Sequence, residues 1–207
     1  VRPRRTSYKQ SSLLMVGIPK KFCECTLKDY NTFGSTDLVA LKDYIRFYIE
    51  NVEDTFKECH GLYMYGSNGV GKTMLASIIL REAFMCRFTV RRCTFADYIA
   101  EYTRAWSCTG KDEKDAMEDN LFTYYKGVEF LVLEEVGKEI DTKIARPILE
   151  DLLRYREEKG LVTIMCSNIT PEDFFERYGN SIMSLMQGNM TPIEIVGKDR
   201  REVKDHY

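Results

Sequence analysis

The chain of 207 residues is long enough for one sizeable α/β domain with a true core, and short for two. Its 44% hydrophobic and 30% charged residues suit a globular protein, and a net charge of −2 excludes a broadly basic coat for nucleic acid, though not a local basic groove. No apolar run approaches the ~18 residues of a membrane span, and seven cysteines without a Cys-x-x-Cys pair read as reduced thiols of a cytoplasmic protein.

Residues 1–20 are basic, then mixed, without a sustained period, and read as an N-terminal arm or linker. The first residue is Val1 rather than Met, which implies continuation from an upstream domain. From Asp37, the residues Leu38, Leu41, Ile45, Tyr48, Ile49 and Val52 recur at helical spacing and predict an amphipathic helix. Leu62 to Tyr65 is a short apolar strand stopping at Gly66, and a buried helix follows from near Gly71 through Leu80. A strand is expected over Arg87 to Arg92 and a helix from Phe95 to Trp106. The charged stretch Ser107 to Asn120 reads as a surface loop. Phe130 to Leu133 is a buried strand, and Pro147 opens a helix in its first turn that ends near Gly160. Leu161 to Cys166 is a further strand. Thr170-Pro171-Glu172-Asp173 carries a capping hydroxyl, a first-turn proline and acids suited to the positive end of a helix. Ile193 to Val196 is a fifth strand. Five apolar strands alternating with helices define an α/β fold, a parallel sheet sandwiched by helices.

The segment Gly66-Ser67-Asn68-Gly69-Val70-Gly71-Lys72-Thr73 lies between a strand and a helix, the setting of a phosphate-binding P-loop. The glycines admit backbone conformations closed to other residues and let bare amides approach an anion at a helix start. Lys72 supplies positive charge for the β- and γ-phosphates, and the Thr73 hydroxyl is placed for Mg²⁺. Met74 continues the nucleotide-binding run into the helix. Glu134 and Glu135 follow the strand Phe130–Leu133, at the carboxyl edge where ligands of open α/β sheets sit. Glu134 is a candidate to hold Mg²⁺, and Glu135 a candidate to polarise an attacking water. A solvated strand end is the simpler alternative for both.

With these motifs the chain resembles the AAA+ ATPases of the DnaC/DnaI helicase-loader and IstB transposition-helper group, over residues 17–201. The resemblance rests on Gly17-Ile18-Pro19-Lys20-Lys21-Phe22 with Thr26-Leu27, the P-loop, Leu133-Glu134-Glu135-Val136-Gly137, Ser167-Asn168, and Gly197-Lys198-Asp199-Arg200-Arg201. It implies that residues 21–207 form a P-loop NTPase domain, an AAA+ core lacking the helical lid domain. It further implies ATP/ADP and Mg²⁺ as cofactors, Asn168 as the sensor amide that orients water, and Arg201 as the arginine that reads nucleotide state, with Arg200 as a substitute. The partners implied are a replicative hexameric helicase, single-stranded DNA and further copies in a helical assembly, with no membrane. The helicase-binding part of such loaders lies upstream of the ATPase domain.

Two residues depart from the group's pattern. Glu134 stands where the family has Asp and reaches about 1.5 Å further, although Mg²⁺ demands strict geometry. Leu185 stands in the place of the arginine finger and cannot stabilise phosphoryl-transfer charge; Arg154, Arg156 and Arg177 are substitutes by position. Tyr98, Tyr102, Arg104 and Trp106 fit either an aromatic-basic helix for single-stranded DNA or core and interface aromatics. The expected function is loading a helicase with ATP. An IstB-like helper and an ATP-gated scaffold with little hydrolysis are the alternatives, and a small-molecule kinase is disfavoured by the absence of a clear basic lid.

Overall fold

The computed structural model describes residues 9–139 and 142–200. Its strands β1 (Gly61–Tyr65), β2 (Val90–Thr94), β3 (Phe130–Val136), β4 (Val162–Ser167) and β5 (Met190–Glu194) form one sheet in the order β2-β3-β4-β1-β5. Every pairing is parallel. Parallel neighbours need crossovers, and helices supply them on both faces. The apolar residues of each strand therefore divide by parity. Leu62, Met64, Phe130, Val132, Val162 and Ile164 enter one core; Tyr63, Leu131, Leu133 and Met165 enter the other.

The first core is covered by α1 (Gln10–Met15), α2 (Thr36–Glu50), α3 (Val52–Lys57) and α4 (Lys72–Met85). The second is covered by α5 (Phe95–Ser107), α7 (Thr142–Glu158), α8 (Pro171–Tyr178) and α9 (Asn180–Asn189). The capping expected at Thr170 is present: its side chain accepts from the Asp173 amide, with Pro171 in the first turn. In α4 both flanks of the helix are buried, because it lies between α2 and the sheet.

Several expectations need correction, among them the fifth strand, which runs Met190–Glu194 and not Ile193–Val196. Ser107 to Asn120 is no loop: α6 (Lys111–Leu121) fills most of it and packs beside α5. Its residues are polar but good helix formers, with Asp112 and Glu113 in the first turn and a Lys114–Glu118 pair one turn apart. Pro147 does not open its helix. It lies inside α7, on the exposed flank, where solvent can reach the carbonyl that its missing N–H leaves behind. The second strand begins at Val90 rather than Arg87, because Arg87 adopts a left-handed φ of 67° just after α4 and ends that helix.

The segment before Lys20, read as an arm without period, docks from Gln10 onward. Leu13 and Ile18 are buried in the first core. The Arg92 amide donates to the Val16 carbonyl at 2.8 Å, so this segment covers the edge strand β2. Gly17 is required there, since a Cβ would stand 2.1 Å from the Arg92 carbonyl oxygen. Leu13→Ala should cost about 3 kcal/mol of stability in urea unfolding, the cost of an unfilled core position. A change within 0.5 kcal/mol, the scale of surface substitutions, would show that the segment is not part of the folded unit.

Candidate nucleotide site

The P-loop follows β1 directly, and β1 lies inside the sheet between β4 and β5. Gly71 is the N-cap of α4 with φ 108°, and a Cβ there would come within 2.8 Å of both Tyr30 and Arg200. Gly66, at φ 142°, passes so close to the Ile195 carbonyl that a Cβ would lie 2.3 Å from it. Only glycine fits at either point. Lys72 folds across its own loop, donating to the carbonyls of Gly66 at 2.6 Å and Ser67 at 2.7 Å.

A cavity of about 390 Å³ opens over the loop, lined by Asn68, Gly69, Gly71, Lys72, Thr73, Met74, Glu134, Glu135 and Asn168 among others. Ser67 lies exposed and Val70 buried beside this lining. Thr73 Oγ1 donates to Glu134 Oε2 at 2.9 Å, joining α4 to the end of β3. Glu134 is buried, and Arg92 donates from Nε to Oε1 at 3.3 Å. The Cys166 thiol lies close by, and burial, with the Glu134 carboxylate adding to it, pushes its pKa well up.

Glu135 is held differently. The ladder between β3 and β4 is irregular between Leu133 and Val136, and Glu135 takes a left-handed φ of 62°. Its side chain is exposed at the cavity and paired with Lys138 Nζ at 2.9 Å. A bulged strand thus turns one carboxylate inward to Thr73 and leaves the next facing the cavity. Asn168 donates from Nδ2 to Asn68 Oδ1 at 3.0 Å, which brings the end of β4 onto the P-loop.

The segment after β5 crosses the loop from the other side. Arg200 donates from its amide to the Gly69 carbonyl at 3.0 Å and from Nε to the Val70 carbonyl at 2.8 Å. Its guanidinium stacks 3.9 Å from the Tyr30 ring centre. Arg201, expected beside it as a nucleotide reader, lies outside the described residues.

The candidate substitutes for the arginine finger separate cleanly. Arg156 is fully buried, donating to Thr163 Oγ1 and to the carbonyls of Lys126, Val128 and Val162. Burial draws its pKa down to about 9, so it remains a cation at neutral pH. A side chain so enclosed cannot reach a neighbouring subunit. Arg177 is engaged with Glu139, through the carboxylate at 3.3 Å and through the backbone carbonyl. Arg154 is exposed, with Glu150 and Ser181 as partners. Leu185 itself packs against the second core.

The aromatic-basic helix also divides. Tyr98 is buried against Tyr125 and Tyr102, which makes it a core residue, not a platform for bases. Trp106 is 69% exposed, stacked on Tyr102 and approached by Lys114 of α6. Arg104 is exposed and paired with Glu101.

Sequence reasoning passed over Arg92, Lys138 and Cys166 as members of the site. Arg92 alone left a visible signal, a second consecutive arginine in a strand of a buried sheet. The donor set fits a hard cation: a hydroxyl and a carboxylate meet at the cavity wall. Among the described residues no group of three or more His, Cys, Asp or Glu is placed to hold a metal, so at this pair water and phosphate oxygens would complete the shell of Mg²⁺.

Parallel strands in this order, with a P-loop after β1 and an acidic pair near the end of β3, give the chain the fold of AAA+ P-loop proteins. Within that fold the chain is similar in sequence to the DnaC/DnaI helicase loaders, the group its dispersed motifs resemble. It is 24% identical over 188 residues to the replicative helicase loader DnaI of Bacillus subtilis, covering 82% of this chain and 58% of that protein. It is 23% identical over 186 residues to the replicative helicase loader DnaC of Escherichia coli, covering 90% and 72%. The chain thus spans less than two thirds of the DnaI length. A crystal structure of the DnaC helicase loader superposes with a TM-score of 0.70 at 22% identity, covering 86% of this chain and all of that one. The replication initiator DnaA bound to AMPPCP and single-stranded DNA superposes at 0.68 with 18% identity, covering 88% and 52%. No family model matches the chain. Among the described residues no helix is long and apolar enough to cross a membrane.

The left-handed backbone at Glu135 carries a cost that glycine would not, about 1 kcal/mol. Glu135→Gly should therefore raise the stability of the nucleotide-free protein by about that amount in chemical denaturation. A loss of stability would mean that the Lys138 pair outweighs the strain.

Proposed function

We propose that this protein binds and hydrolyses ATP with Mg²⁺ and uses the nucleotide state to load a replicative helicase onto single-stranded DNA. The observation that carries the nucleotide part is the junction of P-loop, Thr73–Glu134 contact and exposed Glu135 around one cavity. The helicase and DNA parts rest on the likeness to DnaC and DnaI, and the cytoplasm is the expected compartment on the same ground.

In this reading the amides of residues 66–74 receive the phosphates, and Lys72 leaves its own loop carbonyls to meet the β- and γ-oxygens. Thr73 and Glu134 would hold Mg²⁺, which supplies charge neutralisation to the phosphates when bound. Glu135 gives up Lys138 and accepts a proton from the attacking water. Asn168, already at the loop, orients that water. Arg201, or Arg200 before it in sequence, would respond to the nucleotide; Arg200 lies on the segment that crosses the P-loop.

A second reading, an ATP-gated scaffold with little hydrolysis, is favoured by Leu185. That side chain packs inward and offers no charge to a neighbouring subunit. Arg154, exposed on α7, is the substitute that the structure leaves available.

At 100 times the dissociation constant, Mg-ATP should add about 2.7 kcal/mol of stability, read as a raised melting temperature. Lys72→Ala should abolish most of that rise; an equal rise in the variant would sink the nucleotide reading. Glu135→Gln should bind ATP as the parent does and lower steady-state turnover by at least about 100-fold. Turnover already near background in the parent, with ATP still tightening binding to a single-stranded oligonucleotide, would favour the scaffold.

A further inference from the structure

Glu134 occupies the metal position with a side chain one methylene longer than the aspartate that the family resemblance leads one to expect, and the structure shows what its second oxygen does. Oε2 faces Thr73 at 2.9 Å, and Oε1 accepts from Arg92 Nε at 3.3 Å. The carboxylate is only 5% exposed and the Arg92 side chain 18%, so neither charge is much screened by solvent. Arg92 comes from β2, two residues before Thr94, which pairs with Glu134 across the sheet. Its backbone and side chain are fixed further by Val16 and Gly17: the amide donates to the Val16 carbonyl, and Nη1 to the Gly17 carbonyl at 3.2 Å. The guanidinium is therefore held in place between the Gly17 carbonyl and the Glu134 carboxylate.

We propose that Arg92 is a positioning residue that acts through Glu134 as a built-in counter-ion, holding Oε1 so that only Oε2 turns to Thr73 and setting how much free Mg²⁺ the nucleotide site requires. The proposal rests on the Mg-ATP reading above. A fixed positive charge on the far oxygen of a metal-ligating carboxylate opposes a second cation on the near one, and in a buried site that opposition is strong. It also keeps a buried carboxylate compensated whenever no cation is present. Loss of orientation and loss of repulsion act in opposite senses on Mg²⁺ binding. With both charged side chains this buried, repulsion outweighs the orientation of one carboxylate, so removing the charge should favour the metal.

The test titrates free Mg²⁺ against the ATP-induced rise in melting temperature, with fluorescent-nucleotide binding as a second readout. Arg92→Met should reach half-maximal stabilisation at about tenfold lower free Mg²⁺ than the parent. Arg92→Lys, which keeps the charge, should stay within about twofold of the parent. Arg92→Gln keeps a donor where Nε meets Glu134 Oε1, without the charge, and should shift as Arg92→Met does, which covers the case in which the methionine variant fails to fold. A merely structural arginine would give a raised Mg²⁺ requirement on removal, because a loosened site binds less well. An unchanged or higher requirement in both neutral variants, with nucleotide binding still dependent on Lys72, overturns the role of Arg92 alone. Nucleotide stabilisation that survives Lys72→Ala overturns the reading beneath it.

Discussion

The hydrogen bond from Thr73 to Glu134 closes a loop of sixty-one residues and makes one site of two strand ends. It can form only because β1 and β3 run parallel with β4 between them, so that both deliver their carboxyl ends to the same edge. Every other candidate group is arranged around that contact. The P-loop lies on one side of it, Glu135 and Asn168 on another, and Arg92 behind it. A shift of one residue in β3 would exchange the inward and outward carboxylates, since side chains alternate along a strand.

The polar groups of the site hold one another. Lys72 lies on its own loop carbonyls, Glu134 between Thr73 and Arg92, Glu135 on Lys138, and Asn168 on Asn68. Buried or half-buried polar groups need partners, and these pairings satisfy the need without a ligand. In the proposed reading, binding a triphosphate exchanges these hydrogen bonds within a pocket that is already formed. The left-handed Glu135 fits the same pattern: backbone strain is kept where one carboxylate must face the cavity while its neighbour turns away.

Burial decides which of the three candidate arginines are open to solvent. Arg156 directs its donors to a hydroxyl and four carbonyls beside the second core and serves to satisfy loop backbone there. Arg177 is tied to Glu139. Arg154 alone among the three is open to solvent and lightly held. The same distinction applies along α5, where Tyr98 is core and Trp106, two turns later, is surface.

Much of this was legible from the residues in order. The β1–P-loop–α4 unit is local: an apolar strand, glycines at fixed spacing and a buried helical stripe lie within some twenty-five residues, so backbone chemistry alone specifies it. The same holds for the capped start of α8 and for an acidic pair at the end of an apolar strand. The arrangement of partners was not legible. Arg92 meets Glu134 across 42 residues and Asn168 meets Asn68 across 100, distances over which sequence spacing carries no information about contact. Composition also misled where propensity and polarity disagree, as in the charged α6, and where a proline can sit on an exposed helix flank. The sequence by itself determined that a phosphate cradle follows a buried strand, because that depends on local dihedral freedom. Only the tertiary structure decided which charge faces each carboxylate, because that depends on which strands become neighbours in the sheet.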